Sequence, residues 1–586
     1  METIAEYALP LAVALLLAIF FLSLPELKGC RIDDEGPERR RLDRRDALIM
    51  AAIALVYAGV AFYRLGNTRS PESFIYMSGR TSQLELPEDE PVSSLKLFTG
   101  VGMGNLIVEY AADGENFVPV GSFSQSHAEV LKWSFVLLDE PVCGGCLRIV
   151  GQGNLWLGEA VCIDAAGNTV PVRSSEPELT DEQELAPDIQ DYMNSTYFDE
   201  IYHARTAWEH LNRVEPYEIT HPPLGKIILS AGIALFGMTP FGWRFSGTLI
   251  GVLMLPIMYV FIKKLFGGRA VPAAGTLVLA ADFMHFVQTR IATIDSYSVF
   301  FILLMYLFMY LFISEDRLRY LALSGVFFGM GAASKWTCLY AGAGLAVLWL
   351  IWVLSRAKAG RLSLRGFLKN VGFCLIFFVA APALIYCLSY YPYAAARGNV
   401  PLFSGEYFRI VLDNQKYMFN YHSTIVAEHP YSSRWYQWIL NIRPILYYLL
   451  YFPDGTRSSF GAFLNPALCW GGFVSLFVLG YLAVARRDRR SAFILLGYLA
   501  QLIPWMFVSR LTFEYHYFPC SVFLVLALAR VFEVYRLNAK AWRFHVFGFV
   551  ALNAALFVMF YPALSGKPVN NELATRLLGW LPTWPF

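Results

Sequence analysis

Residues 195–203 read Ser-Thr-Tyr-Phe-Asp-Glu-Ile-Tyr-His, and they place two adjacent acids, Asp199 and Glu200, outside every hydrophobic segment. Long apolar segments follow this stretch almost to the C-terminus, after His221-Pro-Pro-Leu-Gly-Lys226. Carboxylates and a His-Pro-Pro turn beside a membrane face indicate an enzyme that acts on a lipid-linked substrate, rather than a channel or a scaffold. The plainer interpretation of the acidic pair is a helix start, where the helix dipole stabilises acids.

The composition indicates a membrane protein. Of 586 residues, 56% are hydrophobic and 16% are charged, whereas about 25% are charged in typical soluble proteins. Runs of roughly 17–25 apolar residues, long enough to cross a bilayer as helices, recur along the chain. The net charge of +1 gives no indication of a nucleic-acid partner.

These apolar runs predict a polytopic α-helical membrane protein with about 12 transmembrane helices. The predicted spans are 7–24, 47–64, 243–262, 271–288, 296–313, 320–334, 338–354, 367–389, 468–485, 491–509, 516–535 and 544–562. The basic connections between them, including loop 25–46 and Arg486–Arg490, then fall on one side, which the positive-inside rule makes the cytoplasm. Both termini and the segments 65–242 and 390–467 are therefore expected on the outer face.

An extramembrane insert precedes the acidic pair. Residues 68–175 alternate apolar and polar side chains in short runs such as Leu106–Tyr110 and Cys146–Val150, separated by glycine turns. This pattern predicts an exoplasmic antiparallel β-sandwich, and its order resembles discoidin-like, galactose-binding modules. One interpretation is that loops of this module bind a glycan or an acceptor through Trp133 or Trp156. The other, which we favour, is a spacer whose tryptophans fill its own core.

The chain is thus expected to divide into consecutive regions. They are two N-terminal helices with a basic cytoplasmic loop (1–67), the β-sandwich (68–175), an acidic linker and catalytic loop (176–242), a transmembrane core (243–389), an outer loop (390–467) and C-terminal transmembrane helices (468–586). Within the catalytic loop, residues 198–213 predict an amphipathic helix near the membrane surface, with Asp199 and His203 on one face.

Charged groups recur at the predicted outer ends of the spans. They are Arg244, Arg290 with Asp295, Lys335 beside Trp336, and Arg510 with His516. A single arginine at a helix end usually anchors the helix at the interface. Several such clusters on one face, opposite a carboxylate pair, favour a phosphate-binding cavity instead.

The outer loop adds His422, Arg434, Trp438 and Arg443 in an aromatic, polar setting. Aromatic faces suit both sugar rings and prenyl chains, although an interfacial aromatic belt explains them equally well. No P-loop, nucleophile elbow or zinc-protease motif is present. We find no dedicated set of metal ligands and no cofactor that the sequence firmly implies. A requirement for a divalent cation is an alternative that the sequence leaves open. Asp282 and His285 suit a proton or ion site, or a locally satisfied polar pair, which we favour.

Several of these motifs occur in a fixed order. They are Tyr197–Glu200, His221–Lys226, Trp243-Arg244, Arg290…Asp295, Ser334–Thr337, His429-Pro-Tyr…Arg434…Trp438 and Arg510–Tyr517. This order resembles the protein O-mannosyltransferase family, which uses the multi-span glycosyltransferase-C fold. The resemblance covers residues 190–562.

The resemblance implies a polyprenyl-phosphate-linked mannose donor, an acceptor polypeptide with Ser/Thr hydroxyls, an exoplasmic active site and inversion at the anomeric carbon. It implies that Asp199 is the catalytic carboxylate. We expect Glu200 to position the acceptor or a cation, and Arg244, Lys335, Arg443 and Arg510 to supply cations to the phosphate. The remaining residues expected to bind substrate are His203, His221, Lys226, Arg290, Asp295, Trp336, His422, Arg434, Trp438 and His516.

The chain departs from the family pattern in its extra N-terminal helix, in the insert before the acidic pair, and in lacking a β-trefoil module in a later loop. These departures suggest a bacterial-type member in the plasma membrane. Two alternatives remain. One is a transferase of the same fold acting on a lipid or cell-wall glycan, and the other is a glycolipid transporter, which would need repeats that we do not find.

Overall fold

The computed structural model describes residues 2–32, 40–425 and 427–586, with side chains from residue 13 onward. Part of the predicted basic loop, residues 33–39, lies outside the described residues. Packing divides the chain into two units. The first unit comprises Met1–Tyr63, Glu218–Ile228 and Gly247–Phe586, and the second comprises Arg64–Tyr217 and Leu229–Ser246. The region boundaries given by the sequence stay a prediction.

Apolar helices make up most of the first unit. In the described part of the chain, nine helices are long and apolar enough to cross a membrane. They are Arg44–Phe62, Pro240–Phe266, Asp295–Glu315, Cys338–Lys358, Leu364–Ala396, Pro466–Ala485, Arg489–Phe507, Glu514–Asn538 and Trp542–Ser565. The other predicted spans fall on Glu2–Gly29, on Leu318–Ser334 and on a bent pair of helices. The predicted polytopic helical fold is confirmed, but the count of about 12 spans is not.

The predicted span 271–288 is not one continuous helix. It is broken into Ala270–Ala280 and Phe283–Arg290, which meet at 56°. At the break, a carboxylate oxygen of Asp282 accepts the N–H of His285 at 3.1 Å and so caps the second helix. The His285 ring lies 3.1 Å from the carbonyl of Gly251 and 3.1 Å from the hydroxyl of Tyr57. Asp282 and His285 are therefore locally satisfied polar groups.

The segment 390–467 of the first unit contains regular structure that we did not predict from the sequence. A helix runs from Gly405 to Thr424, and a hairpin of Ile445–Tyr451 and Thr456–Ala462 pairs further with Val569–Asn570. The hairpin turn uses Asp454-Gly455, and Gly455 has φ of 79°. An Asp-Gly pair between apolar runs is a hairpin signal, and it was overlooked here.

The second unit is dominated by an antiparallel eight-stranded sheet, which we call the β-insert. Its strands are Ile75–Tyr76, Thr81–Glu85, Val92–Ala111, Val118–Gln125, Lys132–Val142, Cys146–Ile163, Thr169–Val170 and Arg173–Ser174. The two longest strands pair with each other from Ser94 opposite Ile163 to Ala111 opposite Cys146. One half of Val92–Ala111 pairs with Lys132–Val142, and the other half pairs with Val118–Gln125.

The pairing of the two long strands shifts register between Phe98 and Gly102. At Gly102 the φ is 105°, and an added Cβ atom would lie 2.0 Å from the carbonyl oxygen of Asn154. Only glycine tolerates that conformation and that approach. The apolar core of the β-insert consists of a large cluster that includes Leu95 and Val108, and a smaller one formed by Phe98, Trp133, Val161 and Ile163. Trp133 is therefore a core residue, as the plainer interpretation expected.

Candidate active site

The acidic pair lies where a helix begins. The helix runs from Glu200 to Leu211, shorter than the predicted 198–213, and Asp199 precedes it. The carbonyl of Asp199 accepts the N–H groups of Tyr202 and His203, both at 3.1 Å, but its side chain does not cap the helix. Phe198 has φ of 47°, a left-handed conformation that is uncommon for a non-glycine residue and is found at functional sites. Asp199 is partly exposed, whereas Glu200 is fully buried.

Glu200 forms a buried ion pair with Arg244. Nε of Arg244 lies 2.7 Å from one carboxylate oxygen, and Nη2 lies 2.7 Å from the other. The indole N–H of Trp243 donates to the same carboxylate at 3.2 Å. Only 1% of Arg244 and none of Glu200 is exposed. The Glu200 carboxylate is therefore held inside the protein by Arg244 and Trp243, and its expected role in positioning the acceptor or a cation stays a prediction.

The remaining N–H groups of Arg244 are also used within the protein. Nη1 donates to the carbonyls of Leu65 at 2.9 Å and Tyr192 at 2.6 Å, and Nη2 donates to the carbonyl of Ser195 at 3.2 Å. A guanidinium has five N–H donors, and Arg244 makes five such hydrogen bonds. The expectation that Arg244 binds the donor phosphate is therefore corrected, because Arg244 fastens the segment that leads to Asp199.

The β-insert holds the same segment. The N–H of Trp133 donates to the Ser195 hydroxyl at 3.4 Å, and the Thr196 hydroxyl donates to the carbonyl of Val130 at 3.0 Å. The rings of His127 and Tyr202 stack with centroids 6.0 Å apart. Most residues of the helix, His203 included, are buried. The helix predicted to lie on the surface is thus a packed helix in which His203 is buried, and the expected contact of His203 with substrate stays a prediction.

In the first unit, Glu218 organises the His-Pro-Pro turn. Its carboxylate accepts the N–H of Thr220 at 2.9 Å, lies 3.0 Å from Nδ1 of His221, and forms an ion pair with Lys226. Nζ of Lys226 also donates to the carbonyls of Glu218 at 2.7 Å and His221 at 3.2 Å, and Lys226 is fully buried. Lys226 is therefore structural rather than substrate-binding. Glu218 was missed, although an acid three residues before His221 was visible.

His221 forms part of a cavity of about 300 Å³ in the first unit. The cavity is lined by His221, Lys335, Trp336, Thr337, Tyr340, His422, Ser423, Trp505, Phe507, Val508, Ser509 and Arg510. The structure thus brings together predicted site residues from four separate segments. Cations and imidazoles share this cavity with large aromatic side chains.

Lys335 and Arg510 bring two basic side chains to the cavity. Burial lowers the pKa of His221, although the Glu218 carboxylate opposes the change. Burial also lowers the pKa of His422 to about 4, and the neighbouring His221, Arg510 and Lys335 act in the same direction because they disfavour a positive charge on His422. Both imidazoles are therefore uncharged at pH 7 and serve as hydrogen-bonding groups.

Lys335 is held in place by Asp295. Nζ of Lys335 lies 2.7 Å from a carboxylate oxygen of Asp295 and 5.5 Å from the centre of the Tyr515 ring. Lys335 is 8% exposed, so the pair lies at the edge of the buried region and Lys335 borders the cavity. Asp295 therefore acts through Lys335.

The aromatic wall is fixed by a chain of hydrogen bonds. The indole N–H of Trp336 donates to the hydroxyl of Tyr386 at 3.0 Å, and that hydroxyl donates to Gln415 at 2.6 Å. Nε2 of His422 lies 2.8 Å from the carbonyl of Thr220, which requires a proton on Nε2. Nδ1 of neutral His422 is then an acceptor, and within the described chain it has no partner.

A larger cavity of about 760 Å³ shares Arg510 and Ser509 with the smaller one. Its other residues include Glu428, His429, Arg434, Gln437, Arg443 and Thr512. Nη1 of Arg434 donates to the carbonyl of Ser509 at 3.3 Å, and Nη2 of Arg443 donates to the carbonyl of Pro430 at 2.6 Å. Among the described residues, no side chain or carbonyl pairs with the guanidinium of Arg510.

Three other predicted ligands are buried in protein contacts. Nε and Nη2 of Arg290 donate to the carbonyls of Ala61 at 2.9 Å and Tyr63 at 3.1 Å. The indole of Trp438 donates to Ser433 at 2.9 Å and stacks on His516, with centroids 6.0 Å apart. Neither cavity is lined by Arg290, Trp438 or His516, so we correct their expected role to a supporting one.

A metal centre is not apparent among these site residues. In the described part of the chain, one group of three acids lies close enough together to hold a metal ion. It consists of Glu159 in the β-insert and of Asp181 and Glu182 in the segment that follows it.

Two family models match the chain. One, described as dolichyl-phosphate-mannose-protein mannosyltransferase, matches residues 220–386. The other, described as the C-terminal four TMM region of protein-O-mannosyltransferase, matches residues 407–584. Both matched ranges begin after the β-insert and Asp199, and together they include both cavities.

Individual relatives agree with the family models. A polyprenol-phosphate-mannose–protein mannosyltransferase of Mycolicibacterium smegmatis is 28% identical over 66% of this chain and 87% of its own length. The Mycobacterium tuberculosis protein of the same name is 26% identical over 66% of this chain and 86% of its own length.

A solved structure shares the fold. The S. cerevisiae protein O-mannosyltransferase Pmt1–Pmt2 complex bound to the sugar donor matches with a TM-score of 0.59 at 13% identity. The match covers 66% of this chain and 89% of the yeast chain. The chain is thus an integral membrane protein that belongs to the protein O-mannosyltransferase family.

Proposed function

We propose that this protein transfers mannose from a polyprenyl-phosphate carrier to Ser or Thr hydroxyls of polypeptides. The observation that carries this proposal is the cavity that joins Lys335 and Arg510 to aromatic walls, in a chain whose relatives are named polyprenol-phosphate-mannose–protein mannosyltransferases. A sugar, a phosphate and a prenyl chain need different contacts, and this cavity offers all three kinds.

The phosphate of the donor binds Arg510 and Lys335 in this proposal. Arg510 offers a planar fork of N–H donors that matches phosphate oxygens, and its donors have no partner in the described chain. Lys335 adds a point charge that Asp295 keeps at the cavity edge. The two cations attract the donor and stabilise the phosphate as it leaves.

The sugar and the lipid use the other groups. Nδ1 of neutral His422 accepts a sugar hydroxyl, and Trp336 offers its ring face to the pyranose. Trp505 and Phe507 provide apolar surface for the first prenyl units. Aromatic rings suit both types of contact because they present a large apolar face.

Asp199 is the base in this proposal. It accepts the proton of the acceptor hydroxyl while that oxygen attacks the anomeric carbon of mannose. The bond between the anomeric carbon and the phosphate oxygen breaks, and polyprenyl phosphate leaves with the electron pair. Attack from the face opposite the leaving phosphate inverts the anomeric carbon. Base catalysis of this kind is worth about 10²–10⁴-fold in rate.

We place the reaction on the outer face of a bacterial plasma membrane, with both termini outside. The basic connections between the helices supply the argument, because positively charged loops stay in the cytoplasm. A lipid-linked donor also fits a compartment without nucleotide sugars. A glycan contact by the β-insert would use Trp156, which stays half-buried beside Tyr76.

The test is transfer of label from radioactive polyprenyl-phosphate mannose to a Ser/Thr-rich peptide. Membranes contain the wild type, Asp199→Asn, or the control Asp188→Asn, which changes an exposed acid of the same linker. We expect labelled peptide from the wild type and the control, and loss of at least about 100-fold in Asp199→Asn. Detergent extraction and size-exclusion chromatography measure the amount of folded protein in each membrane sample, and the assays use equal amounts.

The other outcomes separate the alternatives. Retained activity in Asp199→Asn contradicts the assignment of the base. Donor consumption that depends on Asp199 but leaves the peptide unlabelled indicates a lipid or cell-wall glycan acceptor. Donor that stays intact with the wild type indicates a different sugar, and movement of intact glycolipid across the membrane indicates a transporter.

A further inference from the structure

Three acids lie close together in the β-insert and the segment that follows it. Glu159 lies on the strand Cys146–Ile163, and Asp181 and Glu182 follow the last strand. One carboxylate oxygen from each lies within 4.8 Å of the others. Neither the family models nor the proposed reaction gives these residues a role.

Glu159 is the unusual member of the group. Its side chain is 0% exposed, one carboxylate oxygen accepts the N–H of Glu182 at 3.1 Å, and the other has no partner in the described chain. A buried carboxylate without a counter-charge is costly, so such a group takes up a proton, pairs with a cation or coordinates a metal. Burial raises the pKa of Glu159 to about 8, and the neighbouring acids Asp181 and Glu182 act in the same direction.

The neighbouring groups do not supply a counter-charge. The Asp181 carboxylate accepts a hydrogen bond from the Ser73 hydroxyl at 3.3 Å, and the Glu182 carboxylate accepts one from the N–H of Glu72 at 2.8 Å. The one nearby arginine contact, Arg69 with Glu184 at 2.8 Å, goes to a different acid. Within the described residues, no lysine or arginine pairs with any of the three acids.

We propose that Glu159, Asp181 and Glu182 bind one calcium ion. Calcium is held by six to eight oxygens at about 2.3–2.6 Å, so two ligand oxygens are separated by no more than roughly 5 Å. The observed separation of up to 4.8 Å fits that limit. Asp181 is exposed and Glu182 is partly exposed, so water completes the coordination from the solvent side.

The ion ties the acidic linker to the sheet. Glu159 belongs to a central strand, whereas Asp181 and Glu182 belong to the segment that continues towards Asp199. Just beyond them, Leu185 and Ala186 pack on the core cluster that contains Trp133. Calcium therefore fixes the point at which the chain leaves the β-insert, and the site needs no assumption about the transferase reaction.

The experiment measures binding of calcium to the purified full-length protein in detergent, by equilibrium dialysis with radioactive calcium after chelator treatment. We expect one ion per chain with a dissociation constant of about 10⁻⁴–10⁻³ M, the range of extracellular calcium modules. Glu159→Gln and Asp181→Asn should each weaken binding at least tenfold. Glu140→Gln, which changes an exposed acid of the same sheet, should bind as the wild type does.

Thermal unfolding gives the second readout. Calcium should raise the melting temperature of the wild type and of Glu140→Gln, and it should leave Glu159→Gln unchanged. Without calcium, Glu159→Gln should be at least as stable as the wild type, because the amide keeps the size of the side chain and removes a carboxyl group whose charged form is disfavoured by burial. If Glu159→Gln does not fold, the exposed position Asp181→Asn decides. Calcium binding that is absent in the wild type, or unchanged in these variants, overturns the proposal.

Discussion

The start of the helix Pro240–Phe266 and the wall of the smaller cavity both carry cations, but the two regions use them differently. Arg244 is buried with Glu200 and with three backbone carbonyls. Arg510 borders two cavities and has no partner in the described chain. A guanidinium whose donors are all used within the protein holds the fold, whereas one that faces a cavity is available to a ligand.

The largest expected effect comes from breaking the buried pair. Arg244→Met leaves the Glu200 carboxylate buried and unpaired, which should lower the free energy of unfolding by about 3–5 kcal/mol. Thermal unfolding of the purified protein measures the loss. The double variant Arg244→Met with Glu200→Gln should recover part of it, since no unpaired charge remains. Wild-type stability of the single variant would show that Arg244 does not fasten the fold.

Lys335 tests the intermediate case, because it is paired with Asp295 and also borders the cavity. Lys335→Gln should raise the KM for the donor about tenfold, and it should cost about 1–3 kcal/mol of stability through the stranded Asp295. Adding Asp295→Asn should restore stability but not the KM. If both properties recover together, Lys335 acts only through the fold.

A smaller effect is expected from pH. The folded-state pKa of His422 is about 4, below its ordinary value of 6.5. As the pH falls, the unfolded chain therefore takes up a proton at this residue at a higher pH than the folded protein does. Stability should therefore be full above pH 6.5 and should fall as the pH drops towards 4. The groups around His422 that oppose its protonation are His221, Lys335 and Arg510.

The measurement is the melting temperature at pH 7, 6 and 5 for the wild type and His422→Gln. The wild type should lose more stability over this range than the variant, which lacks the titrating group. Equal losses in the two proteins would show that His422 is not the group responsible.

The sequence predicted much of the fold because long apolar runs and alternating strands are local patterns. It could not predict the break at Ala281-Asp282, since the Asp282 carboxylate that caps the second helix also accepts the N–H of the distant Asn465. The hairpin that ends at Ala462 was missed despite its Asp-Gly turn.

The sequence predicted which residues belong to the site. It did not predict which of them hold the fold and which face a cavity. The sequence identified Arg244, Arg290, Lys335 and Arg510 as one group of cations. It could not separate them, because the carbonyls that occupy Arg244 and Arg290 come from residues remote in sequence, such as Leu65 and Ala61. Glu218 was overlooked because its partners are recognisable only once the His-Pro-Pro turn has folded.

The central claim is that Arg510 holds the phosphate of the lipid carrier. The direct test is a titration of the purified protein with polyprenyl phosphate, in which the fluorescence of the cavity tryptophans Trp336 and Trp505 reports binding. Arg510→Gln should bind about 10- to 100-fold more weakly than the wild type at an unchanged melting temperature, because hydrogen bonds to a charged group are worth roughly 1.5–3 kcal/mol. The matched variant Arg434→Gln, on the wall of the larger cavity only, should bind within about twofold of the wild type. Equal affinity of Arg510→Gln and the wild type would contradict the account.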